Sequence, residues 1–223
     1  MTRIPVCIFA KPPVPGKVKT RLVRSIGEEA AASLASAMLR DTWSTVNELR
    51  EAIPVLAVAE EGCFPVSVPH ENVWLQRIGE LGLRIESILQ RALCDAPAAI
   101  ALGADSPLVI TRHLRDAINR LESSDAVIGP SRDGGFYLLG VRRCPCGLLQ
   151  NLPWSTAETA QRTQDRLQLH QMSVSELETL LDVDTPDDIQ SLYSELSTAS
   201  PVIAPATRQW LREFQWSASS FRL

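Results

Sequence analysis

IPVCIFAKPPVPGKVKTRL, residues 4–22, changes character halfway along. Residues 4–10 form an unbroken apolar run of strand length, the signature of a strand covered on both faces. Then come Lys11, the prolines Pro12, Pro13 and Pro15, and Gly16, followed by Lys17, Lys19 and Arg21. A buried strand emptying into a stiff cationic loop fits an open α/β sheet, whose ligands gather beyond the carboxyl ends of the strands. The loop lacks the first glycine of a Walker A sequence, and Val18 stands where a serine or threonine would hold magnesium. With prolines fixing φ and Gly16 letting the backbone turn, Lys17 and Arg21 could converge on a polyphosphate; a solvated basic turn is the competing reading.

Outward from this stretch the chain alternates. Residues 53–59, 73–76 and 98–103 read as further strands, and 28–51 and 80–93 as helices. Leu34, Met38 and Val46 face inward from the first helix, and Leu81, Ile85, Ile88 and Leu89 share one face of the second. A third helix starts at Arg112 with Thr111 as its cap. Residues 125–129 and 136–141 are strands too close in sequence for a parallel crossover, which predicts one antiparallel strand in a mostly parallel sheet flanked by helices on both faces. Thr185-Pro186-Asp187-Asp188 is a helix start, with a capping threonine, proline at the first position and acids in the first turn. Residues 1–197 are expected to form one α/β domain and 198–223 a helical tail whose Trp210, Phe214 and Trp216 dock on the body or on another subunit.

Composition narrows the function classes. With 223 residues, 45% hydrophobic and 22% charged, the chain can bury a sizeable core. A net charge of -4 disfavours a nucleic-acid surface, so the cations of the first loop are a local feature. Five cysteines without framework or zinc spacing read as reduced thiols. No apolar run is long enough to span a membrane and no signal-peptide core is visible, so a cytoplasmic location is expected.

Three more stretches carry chemistry. LGADSPLV, residues 102–109, puts Asp105 just past a buried strand, where a carboxylate either holds magnesium or caps a turn. GPSRDGGFYLLG, residues 129–140, contains Asp133-Gly134-Gly135, a hairpin turn or a place where a ligand ring approaches bare backbone. In LDVDTPDDI, residues 181–189, Asp182 and Asp184 alternate along an extended segment and share a face, so Asp184 could supply a second metal carboxylate. His70, His113 and His170 fall outside all of these stretches and read as packed or surface residues.

Together with PWSTAET, residues 153–159, these stretches resemble a bacterial family of glycosyltransferase-like proteins with the nucleotide-diphospho-sugar transferase (GT-A, Rossmann-like) fold. Guanylyltransferases acting on phospholactate and on the molybdenum cofactor belong to the same superfamily. The resemblance covers roughly residues 4–195 and implies a metal-dependent transferase that uses a nucleotide. It implies nucleotide and phosphate contacts at Lys11, Gly16, Lys17, Arg21 and Ala104, and a Mg²⁺ or Mn²⁺ site at Asp105 and Asp184. It implies substrate contacts at Asp133, Gly134, Gly135, Trp154 and Ser155, with Asp105, Lys17 and Asp133 carrying catalysis. The implied partners are a nucleoside triphosphate or nucleotide-sugar and a small-molecule acceptor. Glycosyl transfer is the first expectation, nucleotidyl transfer the second, and a non-catalytic nucleotide-binding protein the third. The opening loop departs from the glycine-rich form of sugar nucleotidyltransferases, so base recognition does not carry over.

Overall fold

A computed structural model describes residues 3–214. Seven strands form one sheet in the order β3-β2-β1-β4-β6-β5-β7. They are β1 (Ile4–Ala10), β2 (Ala52–Val58), β3 (Val73–Leu75), β4 (Ala99–Gly103), β5 (Ala126–Pro130), β6 (Phe136–Val141) and β7 (Val174–Glu176). Every pairing is parallel except those of β6, which runs antiparallel to β4 and β5. A connection of residues 131–135 forces that reversal, being too short to return the chain to the sheet's starting edge.

The period-two rule sorts the core. Along β1, Val6 and Ile8 join a cluster with Leu39, Trp43 and Leu114, while Cys7 points to the opposite face and packs with Ile85, Leu89 and Leu167. The first face is covered by α2 (Glu28–Asn47) and α4 (Thr111–Arg120), the second by α3 (Leu81–Ala92) and α5 (Thr159–Leu169). Burial on both sides accounts for the unbroken apolar strands. It also pushes the Cys7 thiol up to about 12, and all five cysteines are free.

Two helix starts contrast. At α6 (Pro186–Thr198) Thr185 caps as the sequence predicts: its hydroxyl accepts from the Asp188 amide, and the Asp188 carboxylate accepts in return from the Thr185 amide, a reciprocal box. At α4 the expected cap is corrected: Thr111 is the first helical residue and Ile110 the capping position. There the ring Nδ1 of His113 accepts from the Ile110 amide at 3.2 Å, which satisfies the capping residue's own N–H but not the first-turn amide a threonine hydroxyl would take.

The described part of the tail docks on the body. α1 (Val23–Ile26) leads into α2, and α7 (Pro205–Glu213) lies against α2. Its Trp210 is buried in a third apolar cluster with Leu34, Met38 and Leu192 and donates its indole N–H to Ser33. Phe214 stacks on Trp210, and Trp216 lies outside the described residues. Among the described residues no helix is long and apolar enough to cross a membrane.

Candidate functional site

Strand direction brings the chemistry to one edge. The carboxyl ends of β1, β4 and β5 and the amino end of β6 coincide there, delivering the loop of residues 11–22, Asp105 and Asp133. Beyond β7 the chain runs back along the same edge. The amides of Leu177, Leu180 and Val183 donate to the carbonyls of Ile128, Pro130 and Asp105 in turn, which carries Asp182 and Asp184 to the end of β4.

Lys19 occupies the centre. Its ammonium lies 2.9 Å from Asp105 Oδ2 and 2.8 Å from Asp184 Oδ1, and its side chain is only 9% exposed. Burial opposes the charge, yet the two carboxylates outweigh it and hold the lysine pKa above its ordinary value. Burial likewise works to raise the Asp105 pKa, and the Lys19 charge and hydrogen bond reverse it into a lowering. Arg21 adds a looser contact to Asp184 at 3.5 Å. Lys19 sits at φ +45°, a left-handed backbone unusual for a lysine, so the loop is bent to aim this side chain inward.

Two cavities meet at Asp105. The first, about 370 Å³, is lined on its polar side by Lys11, Lys17, Lys19, Arg21 and Asp184, with Ala104 beside Asp105. The second, about 240 Å³, is lined by Asp133, Asp182, Gly135, Trp154 and Ser155, and by Thr156. No lysine, arginine or histidine lines the second cavity among the described residues.

In the second cavity Asp133 Oδ1 accepts from the Ser131 hydroxyl at 2.6 Å and the Gly135 amide at 2.9 Å, which fixes its carboxylate. Burial, and then the Asp105 charge, push the Asp182 carboxyl up to about 8, so it is largely protonated at neutral pH. The Ser106 hydroxyl contacts Asp182 Oδ1. Trp154 packs edge-on against Phe136, and its buried indole N–H has no hydrogen-bond partner among the described residues. Ser155, next to it, is held at φ +60°.

Several expected residues therefore converge: Lys11, Lys17, Arg21, Ala104, Asp105 and Asp184 on the first cavity, and Asp133, Gly135, Trp154 and Ser155 on the second. Gly16 and Gly134 do not line either one. Gly16, at φ +77°, turns the loop. Gly134, at φ +87°, meets the chain's own backbone: a Cβ there would lie 2.1 Å from the Ala157 carbonyl oxygen. The close approach foreseen for a ligand ring is made at Gly134 by residues 157–160, whose Ala160 amide donates to the Gly134 carbonyl. Lys19, Asp182, Gln76 and Arg84 were not singled out from sequence as site residues. The alternation of Lys17, Lys19 and Arg21 was visible, but which cation turns inward depends on the Lys19 backbone.

The donor chemistry of Asp105, Asp182 and Asp184 is all oxygen, which suits a hard divalent cation. Among the described residues no three histidine, cysteine or acidic side chains close into a ligand set, and the cation between Asp105 and Asp184 here is Lys19.

A Desulfovibrio desulfuricans G20 protein assigned to the nucleotide-diphospho-sugar transferases superposes with a TM-score of 0.87 at 28% identity, over 96% of both chains. The fold is that of the nucleotide-diphospho-sugar transferases. Residues 59–156 match the family model described as "Uncharacterized protein conserved in bacteria (DUF2064)". A 2-phospho-L-lactate guanylyltransferase of Methanocaldococcus sp. (strain FS406-22) is 27% identical over 124 residues, 55% of this chain and 52% of that protein. The match thus spans about half the length of that curated relative. A CMP:2-keto-3-deoxy-manno-octonic acid synthetase solved with CTP shares the fold, with a TM-score of 0.54 at 15% identity over 88% of this chain and 99% of that one. A Mycobacterium tuberculosis H37Rv protein solved with manganese does so at a TM-score of 0.50 and 19% identity, over 86% and 98%. The relative and the neighbours named for an activity are transferases of nucleotides or nucleotide-sugars, or synthetases of such compounds.

Proposed function

We propose that the protein transfers a glycosyl group from a nucleotide-diphospho-sugar to the hydroxyl of a small, uncharged acceptor. The observation that carries this reading is the segregation of charge between the two cavities. The first is cationic and suits a diphosphate; the second offers carboxylates and hydroxyls and no cation among its described lining residues. A phosphorylated acceptor would face Asp105 and Asp133 with nothing in the second cavity to neutralise it. Sugar and acceptor hydroxyls, which both donate and accept, match that lining.

The roles follow from position. Lys11, Lys17, Lys19 and Arg21 bind the diphosphate and stabilise the negative charge that grows on it as the bond to the anomeric carbon breaks. The acceptor oxygen forms the new bond to that carbon, and its proton passes to the Asp133 carboxylate, already oriented by Ser131 and Gly135. Protonated Asp182 donates a hydrogen bond to a sugar oxygen, and Trp154 provides an apolar wall. Asp105 and Asp184 would hold Mg²⁺ or Mn²⁺, with Lys19 released to the phosphates; the ion supplies further charge stabilisation when bound.

Nucleotidyl transfer is the second reading, favoured by the guanylyltransferase relative and by a first cavity cationic enough for a triphosphate. Incubation with nucleotide-sugars or nucleoside triphosphates, Mn²⁺ and a set of polyols separates the two. Release of nucleoside diphosphate with a glycosylated product is expected, and release of pyrophosphate would replace this reading with the second. Nucleotide binding without any product would leave a binding protein.

A further inference from the structure

The first cavity extends past the cationic loop toward β2 and β3, where Gln76 and Arg84 line it together with Phe9, Ala59 and Leu81. Gln76 follows β3 directly and is buried; its amide nitrogen donates to the Ala57 carbonyl at 2.7 Å, which fixes its oxygen toward Arg84. Arg84 Nη1 donates to that oxygen at 3.2 Å. Among the described residues Arg84 makes no other side-chain hydrogen bond and no ion pair, and its buried Nε–H has no partner. Most surface arginines share their charge with a carboxylate or with water. This one is oriented by a neutral amide and keeps its charge and its remaining Nη hydrogens for whatever fills the cavity.

Distance separates this end from the phosphate end. Gln76 stands at the end of β3, three strand positions from β4 and its Asp105, which at ordinary strand spacing is roughly 14 Å. A nucleotide whose diphosphate rests on Lys17, Lys19 and Arg21 would extend about that far to the outer edge of its base. The apolar side chains of Phe9 and Leu81 offer surfaces for the flat faces of a ring, and Leu81 lies one turn before Arg84 on the same side of α3.

We infer that Arg84, held by Gln76, reads the nucleobase of the donor and selects a base with two adjacent hydrogen-bond acceptors. Guanine offers O6 with N7, and cytosine offers O2 with N3. In adenine the amino group beside N7 sets a donor against the guanidinium, and in uracil an N–H separates the two carbonyls. A planar guanidinium pairs with two adjacent acceptors at once, which a lysine in its place would not. This inference rests on the nucleotide-dependent reading of the site and adds the base to it.

Calorimetric titration with GDP, CDP, ADP and UDP in the presence of Mn²⁺ tests it on the wild type, Arg84→Met and Arg84→Lys. The wild type should bind GDP or CDP at least about tenfold more tightly than ADP and UDP, the discrimination expected of one two-bonded contact. Both variants should bring the four affinities within about threefold by weakening the favoured base alone, with melting temperatures showing that they fold. Equal wild-type affinities would overturn the inference. So would an Arg84→Met variant that weakens all four nucleotides alike, because that marks a phosphate contact. Binding of none of the four strikes the nucleotide reading as a whole, whereas base selection without glycosyl transfer strikes the proposed reaction and leaves the base subsite standing.

Discussion

Lys19 shows how one side chain can stand in for a cation. Asp105 and Asp184 are held together by its ammonium, with their own side chains 39% and 38% exposed. Replacing it, as in Lys19→Met, leaves two acids facing each other with only the looser Arg21 contact on Asp184 to offset their charge. Partial exposure softens the penalty, so the cost to stability should be about 2 kcal/mol, below that of a fully buried broken pair. In EDTA the variant should therefore melt several degrees below the wild type. Mn²⁺ should raise its melting temperature more than it raises the wild type's, because the ion no longer competes with the lysine. A variant indifferent to Mn²⁺ would remove Asp105 and Asp184 as the metal site. Asp182 gives the fold a pH dependence of its own. Its folded pKa of about 8 exceeds the ordinary aspartate value, so its contribution to stability is full below about pH 4 and is lost as pH rises through 8. Asp182→Asn should melt above the wild type at pH 9 in EDTA, with the gap closing toward pH 6. A gap that stays constant with pH would show that this carboxyl titrates normally. At this scale the sequence exposed residue types and order, including the Asp182–Asp184 alternation. It did not show which cation is buried, since that depends on a left-handed turn at Lys19 for which the residue type gives no signal.

Elements were legible in proportion to their burial. The strands covered on both faces, β1, β4 and β6, stand within a residue of their expected limits because unbroken apolar runs leave little latitude. β7 was missed: it has three residues, Val-Ser-Glu, all at least partly exposed, and exists through its pairing with β5. α5 was missed because TAQRTQDRLQL buries only Thr159, Ala160, Thr163 and Leu167, too few apolar residues to mark a face. α7 has a local start signal in Pro205 at its first position, but its cap comes from far away in the sequence. Its capping position is Ala204, which has no side-chain oxygen to offer, and Asp41 of α2 supplies acceptors to the amides of Ala206 at 2.9 Å and Thr207 at 2.8 Å. Asp41 is buried, so Asp41→Ala strands two amides at a helix start and should cost about 2 kcal/mol. The loss should appear as faster hydrogen exchange across residues 204–213 before the sheet opens. Exchange confined to its wild-type rate there would mean that the Trp210 cluster alone holds α7 in place.

At the scale of the molecule, the sheet joins two ligand spaces of opposite charge around Asp105, and this predicts that they can be disabled separately. The cationic space is built on the loop after β1, and the acidic one on residues 131–135 and 153–159, so a perturbation of either need not reach the other. Gly134 is the most direct lever on the second: any Cβ there is opposed by a left-handed backbone and by the Ala157 carbonyl oxygen. Gly134→Ala should displace the segment carrying Trp154 and Ser155, lowering transfer at least about a hundredfold, a loss on the scale of mispositioned reactants. Its nucleotide-diphosphate affinity should stay within about threefold of the wild type, since no phosphate contact is touched. Lys17→Ala should do the reverse, weakening nucleotide binding about tenfold, as loss of one charge-assisted contact would, while leaving the acceptor space formed. Trp154→Ala checks the first result without backbone strain, because it removes a wall of the acidic cavity and leaves Gly134 untouched. Calorimetry for the nucleotide and product analysis for transfer, run on all three, give a pattern that a single undivided pocket would not produce. Parallel loss of binding and transfer in Gly134→Ala and Trp154→Ala would show that the two spaces act as one, and the division of labour around Asp105 would fall with it.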